Sequence, residues 1–106
     1  MTTCHALINA LAPHQGAANG ICAEELALRL QVTTRQLRKL ISMAREAGIA
    51  VCGRPATGYF MPVTADELHA TCAFLRQRAL HSLRQLNRMK KVALPVLQGQ
   101  RLINQA

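Results

Sequence analysis

Between Thr33 and Gly48 the chain places Arg35, Arg38, Lys39 and Arg45 against a single carboxylate, Glu46. Arginine presents a planar fork matched to guanine edges, glutamine can read adenine, and threonine, serine and lysine commonly hold phosphate oxygens. Leu37, Leu40, Ile41 and Ala44 recur at i, i+3, i+4 and i+7, the spacing of a helix with one buried face. Thr33, Thr34, Arg35, Gln36, Arg38, Lys39 and Ser42 lie off that face and point outward together. Glu46 has Arg45, and more weakly Ser42, as its local mates, so Arg35, Arg38 and Lys39 go without a carboxylate. Unpaired cations repel one another, a cost tolerated more readily where a polyanion sits. The alternative is an ordinary solvated face.

Other chemistries have less to stand on. Cys4/His5 and His69/Cys72 are the close Cys–His pairs, two ligands at each place and no CxxC, short of a four-ligand zinc site. His69 reads as surface and Cys72 as core. No HExxH, phosphate-cradling glycine loop or Ser-His-Asp arrangement is present. Five acidic residues in the whole chain leave little for acid–base catalysis, so we expect neither an enzyme nor a cofactor.

The elements that would position the cations follow from composition and punctuation. The 106 residues suit one small domain, and half of them are apolar, with two Phe, one Tyr and no Trp. A core of Leu, Ile, Val, Ala and Met favours packed helices over a large sandwich. Thirteen Lys/Arg against five Asp/Glu give +8, a balance that suits nucleic acid or another anionic partner. The four cysteines have no short pairing and no secretory signal accompanies them, so the expected setting is the reducing cytoplasm. No run of 18 apolar residues suggests a membrane span.

Thr2 or Thr3 can cap a first helix with Leu7, Ile8 and Leu11 inward, ended by Pro13 and Gly16. A brief extended piece at Ile21–Cys22 precedes a second helix, with Leu26, Leu30 and Ala27 on one face. Glu24 and Glu25 in its first turn complement the helix dipole. Val32 reads as the buried residue of a tight turn, and Thr33 or Thr34 caps the third helix, which Gly48 stops in a left-handed conformation. "IAVC" (49–52) and "GYFMP" (58–62) read as strands joined by a turn at Arg54–Thr57. Thr64 and Glu67 form a capping box opening a fourth helix that runs to about Leu94, before Pro95.

This order, with two short helices joined by a tight turn, the second cationic, and a hairpin after it, is that of a winged helix-turn-helix. The expected fold class is mainly α with a small β-hairpin: a winged helix-turn-helix domain over 1–63, a long helix over 64–94 and a tail over 95–106. Arg54 and Thr57 at the wing tip would add backbone contacts. Pro55 and Gly58 serve the turn.

The stretch "GICAEELALRLQVTTRQLRKLISMAREAGIAVCGRPATGYFMP" also resembles the N-terminal DNA-binding domain of the biotin operon repressor family. The shared features are "EEL" before the turn, a Thr opening the third helix, "AGIAV" leading into the wing, and "GY" with a following Pro. The resemblance implies DNA binding through the third helix and wing. It covers roughly residues 18–62. That family continues into a ligase domain that has no counterpart in this sequence, so biotin and adenylate chemistry are not implied.

The fourth helix is the second signal. After Glu67 no acidic residue occurs, while seven Lys/Arg do. Leu68, Cys72, Leu75, Ala79, Leu83, Leu86 and Met89 make one stripe, with Arg76, Arg84, Arg88 and Lys91 largely opposite. At about 27 residues it would be roughly 40 Å long, more than folding back on a small core requires, so we expect it to pair with a second copy. The leading expectation is a small dimeric transcriptional regulator that binds double-stranded DNA in sequence-specific fashion. The alternative is a winged-helix adaptor, such as a phage or mobile-element accessory factor, that docks a protein partner on the fourth helix. Single-strand or RNA binding is weaker, because no aromatics interleave the cations for stacking.

Overall fold

A computed structural model describes residues 3–92 of the chain. It is mainly helical with a small antiparallel hairpin: α1 (Cys4–Leu11), a 3₁₀ turn (Ala17–Asn19), α2 (Ala23–Arg29), α3 (Thr34–Glu46), β1 (Cys52–Arg54), β2 (Gly58–Phe60) and α4 (Ala65–Lys90). The contacts divide the chain into two compact units, one up to Phe74 and one from Leu75 onward, so the division falls inside α4. The expected tail, 95–106, and the helix end expected near Leu94 lie outside the described residues.

The first unit is held by one apolar cluster. Leu7 and Leu11 from α1, Leu26 and Ala27 from α2, and Leu37, Leu40, Ile41 and Ala44 from α3 meet there, joined by Ile21 and Val51. The contributions of α1 and α3 sit at the three- and four-residue spacing that aligns side chains on one face, and half-buried Leu30 continues the α2 face at four residues from Leu26 and three from Ala27. Of the two candidates for the α1 cap, Thr3 takes the role, its hydroxyl accepting from Ala6 N–H. Val32, expected to be buried, is half-buried against this cluster.

Two turns set the path of the chain. Between α2 and α3 the link is short because Gln31 adopts a left-handed conformation, φ 58°, and Val32 N–H returns to the Ala27 carbonyl. At the end of α3, Gly48 has φ +88°. Its N–H bonds the Arg45 carbonyl, and Ile49 N–H bonds that of Ala44. Those two bonds make a Schellman motif, which places Ile49 back on the core.

The same motif corrects the first strand. "IAVC" was expected to extend from Ile49, but Ile49 N–H is spent on the helix end and Val51 N–H on Ile49 O. Pairing therefore starts at Cys52, with register Cys52↔Phe60, Gly53↔Tyr59 and Arg54↔Gly58. The second strand stops at Phe60 for a related reason. Met61 N–H goes to His14 O, and Gly16 N–H to Met61 O, so the chain here pairs with the loop after α1. Ile21, the brief extended piece, exchanges both backbone bonds with Tyr59 and adds a one-residue third strand.

That loop is tied in two further ways. His14 lies between the Asn19 carbonyl at 2.8 Å and Arg29 Nη1 at 3.2 Å. A carbonyl only accepts and a guanidinium only donates, so the ring carries its proton on Nδ1 and accepts through Nε2. Arg29 also pairs with Glu25 one turn earlier, at 3.0 Å.

The expected capping box of α4 is present. Thr64 Oγ1 accepts from Glu67 N–H, and Glu67 Oε1 accepts from Thr64 N–H and Val63 N–H. The other oxygen, Oε2, reaches Ala17 N–H at 2.6 Å and so fastens the helix start to the 3₁₀ turn. These backbone donors, Ala17 first and Val63 next, hold the Glu67 carboxyl below the usual glutamate range. One turn on, the buried residue is Thr71, whereas Cys72, expected in the core, is exposed. The apolar arc of α4 is turned by one position at this depth, because the small Thr71 side chain faces inward.

Candidate nucleic-acid interface

Helix α3 starts at a complete capping box. Thr33 Oγ1 accepts from Gln36 N–H at 3.1 Å, and Gln36 Oε1 accepts from Thr33 N–H at 2.9 Å. Thr33 is therefore the cap, and Thr34 is the first helical residue, half-buried. The cap commits the Gln36 amide oxygen, so the residue offered above as an adenine reader lacks the free acceptor that a bidentate contact needs. Its sequence signature, Thr-x-x-Gln, is the glutamine form of the Thr-x-x-Glu box that marks the start of α4.

Beyond the cap, Arg35, Arg38, Lys39 and Ser42 are all exposed. Their spacing of three, four and seven sets them as neighbours along one side of the helix. Arg35, Arg38 and Lys39 form no ion pair among the described residues. Glu46 is also exposed, but eleven residues after Arg35 it stands about 16 Å further along the axis. Arg45, expected to pair with Glu46, instead donates from Nε to the Val51 carbonyl at 2.8 Å. That bond joins the end of α3 to the segment entering the hairpin. It removes the nearest cation from Glu46 and makes Arg45 a positioning residue.

The charge order along α3 runs against the helix dipole. α2 carries Glu24 and Glu25 in its first turn and α4 carries Asp66 and Glu67, while α3 has no acid there and places Arg35 in its second position. A cation at the positive end of a helix is disfavoured by about 0.3–1 kcal/mol. The same arrangement sums dipole and side-chain charge into a site that attracts anions.

At the hairpin, Arg54, Pro55 and Ala56 are exposed and Thr57 is half-buried. Thr57 N–H bonds Arg54 O, closing a four-residue turn with Pro55 at its second position. Gly58, which opens β2 opposite Arg54, follows with φ +73°, a left-handed conformation that glycine adopts at little cost. The Thr57 hydroxyl donates within this turn, to Gly58 O at 3.0 Å. As a phosphate ligand it is thus weaker than expected, and Arg54 is the cation the tip presents.

One residue escaped sequence reasoning. Met43 is 52% exposed and adjoins Lys39 one turn on. The signal was available, since position 43 falls outside the Leu37/Leu40/Ile41/Ala44 set. An exposed apolar side chain beside cations suits contact with a thymine methyl group.

Among the described residues no three His, Cys, Asp or Glu side chains come together as metal ligands, and no helix is long and apolar enough to cross a membrane. No family model, no curated protein and no solved structure matches the chain.

Proposed function

We propose that this chain binds double-stranded DNA as a small transcriptional regulator, laying the Arg35–Ser42 side of α3 into the major groove. The observation that carries this reading is the inverted charge order of α3: three exposed cations without carboxylate partners, over a helix start that has no acid of its own. On this reading α2, the Gln31 turn and α3 form the helix-turn-helix. The hairpin is the wing, with Arg54 against the backbone. The Ile21–Tyr59 pairing supports that assignment by seating the hairpin on the segment that leads into α2, as does the resemblance to the biotin repressor DNA-binding domain. Arg38 and Arg35 read base edges, Lys39, Ser42 and Thr33 hold phosphates, and Met43 packs against a thymine methyl group.

Selection of bound duplexes from a random pool, followed by anisotropy titration on the consensus, tests the proposal. Arg38→Ala should weaken binding by about 1–3 kcal/mol and relax preference at one base pair. Lys39→Ala should weaken binding evenly across sequences and lower the salt slope by about one. A pool that yields no enrichment, with a triple Arg35/Arg38/Lys39 alanine variant retained as well as the unchanged chain, would overturn it.

A further inference from the structure

From Leu80 onward α4 keeps its apolar residues in the open, and Leu75 before them is half-buried. Leu83, Leu86 and Met89 are 51%, 46% and 72% exposed. Leu75, Ala79, Ser82, Leu86 and Met89 follow one another at intervals of four, three, four and three. That is a 3.5-residue repeat, which keeps a single seam only against a partner that is itself a helix of the same pitch. An interfacial helix lying on a lipid surface needs a broad arc and no such repeat. The two central positions, Ala79 and Ser82, are small, so a second backbone can approach closely there.

The charges flanking the seam choose among helical partners. With Ala79 and Leu86 at the first core position and Leu75, Ser82 and Met89 at the second, the flanks are Arg76, Leu83 and Lys90 on one side and Arg78 and Gln85 on the other. Two copies side by side in the same direction set Arg78 against Leu83 and Gln85 against Lys90, with no cation facing a cation. Turned head to tail, the same helices set Arg76 against Lys90 at both ends, and like charges there are destabilising.

We infer that α4 pairs with α4 of a second copy, parallel and in register, through Leu75, Ala79, Ser82, Leu86 and Met89. The inference does not depend on DNA binding, since it uses only the seam and its flanks. It implies a salt response of opposite sign. Each chain carries +8, so screening should strengthen the pairing, whereas salt weakens attachment to phosphates.

Light scattering on the full chain without DNA should show a dimer at tens of micromolar, tighter at high salt than at low. Leu86→Lys, which keeps helix propensity, should shift it to monomer, with helix content followed by circular dichroism. Geometry is read separately by disulfide trapping in a chain whose Cys4, Cys22 and Cys72 are replaced by Ser, which leaves the buried Cys52. Ala79→Cys should cross-link to itself on oxidation, and Arg84→Cys, on the outer side, should not. A monomer at every salt concentration, a dimer untouched by Leu86→Lys, or trapping at Arg84 in place of Ala79 would each overturn the inference. So would gain of binding to anionic vesicles by a chain that stays monomeric. None of these results bears on duplex selection, so the two proposals fail independently.

Discussion

Helix α3 and the part of α4 from Leu75 to Met89 use similar materials: apolar residues three and four positions apart, arginines between them, and hardly an acid. In α3 the leucines disappear, with Leu37 fully buried and Leu40 and Ile41 nearly so. In α4 Leu80, Leu83, Leu86 and Met89 remain in solvent. Amphipathic spacing therefore says that a face will be covered without saying by what. In α3 the cover is α1 and α2, and the cations are what is left to act. In the far part of α4 the apolar side is left to act, and the cations serve to exclude wrong pairings.

The sharpest way to break this contrast is to truncate a leucine in each helix. Leu37→Ala should cost about 2–5 kcal/mol, because the removed atoms leave a cavity among packed neighbours. Leu83→Ala should change stability by no more than about 0.5 kcal/mol. Urea unfolding at submicromolar concentration, where association contributes little, compares the two directly. Equal losses would mean that the far part of α4 is covered within the chain, and the contrast would disappear.

A smaller effect tests how α3 is terminated. Gly48 has a left-handed φ, and an added Cβ would meet nothing within 4 Å. Gly48→Ala therefore isolates the backbone penalty, about 1–2 kcal/mol, with no steric contribution. Amide exchange should speed up at Gly48 and Ile49, whose N–H groups close the helix end. Duplex affinity should stay within twofold, because Arg35, Arg38 and Lys39 lie nine to thirteen residues earlier, more than two turns away.

How much of this was legible in the sequence depends on whether the decisive interaction was local. The bounds of α3 were readable because Thr33 and Gly48 act on their own neighbours, and the α4 cap was readable for the same reason. Strand ends were not, since Met61 is diverted by His14 and Gly16, some 45 residues away in the chain. Cys72 was misplaced because a stripe drawn over all of α4 assumes one partner along its length. Its first turns meet the 3₁₀ turn through Glu67, and there Thr71 takes the inward position. Of the candidate site, the cation cluster was visible as spacing. The loss of the Gln36 acceptor was equally local, its signature present and unused, while the diversion of Arg45 to Val51 was hidden in tertiary geometry.

Glu67 ties down the first turn of α4, and its titration gives the smallest and most specific of these tests. Its carboxylate accepts from Ala17, Val63 and Thr64 N–H groups, which lowers its folded-state pKa. A depressed carboxyl contributes stability above its unfolded value, about 4.3, and loses it as pH falls through the folded value. Glu67→Gln keeps an acceptor but no charge. The variant should therefore be less stable than the unchanged chain at neutral pH, and the gap should narrow as pH drops below about 4. The partly open site and solvent screening keep the gap modest. Denaturant midpoints across pH 2.5–7 measure it. A gap that stays constant across that range would mean that the carboxylate's charge does not fasten α4 to the 3₁₀ turn.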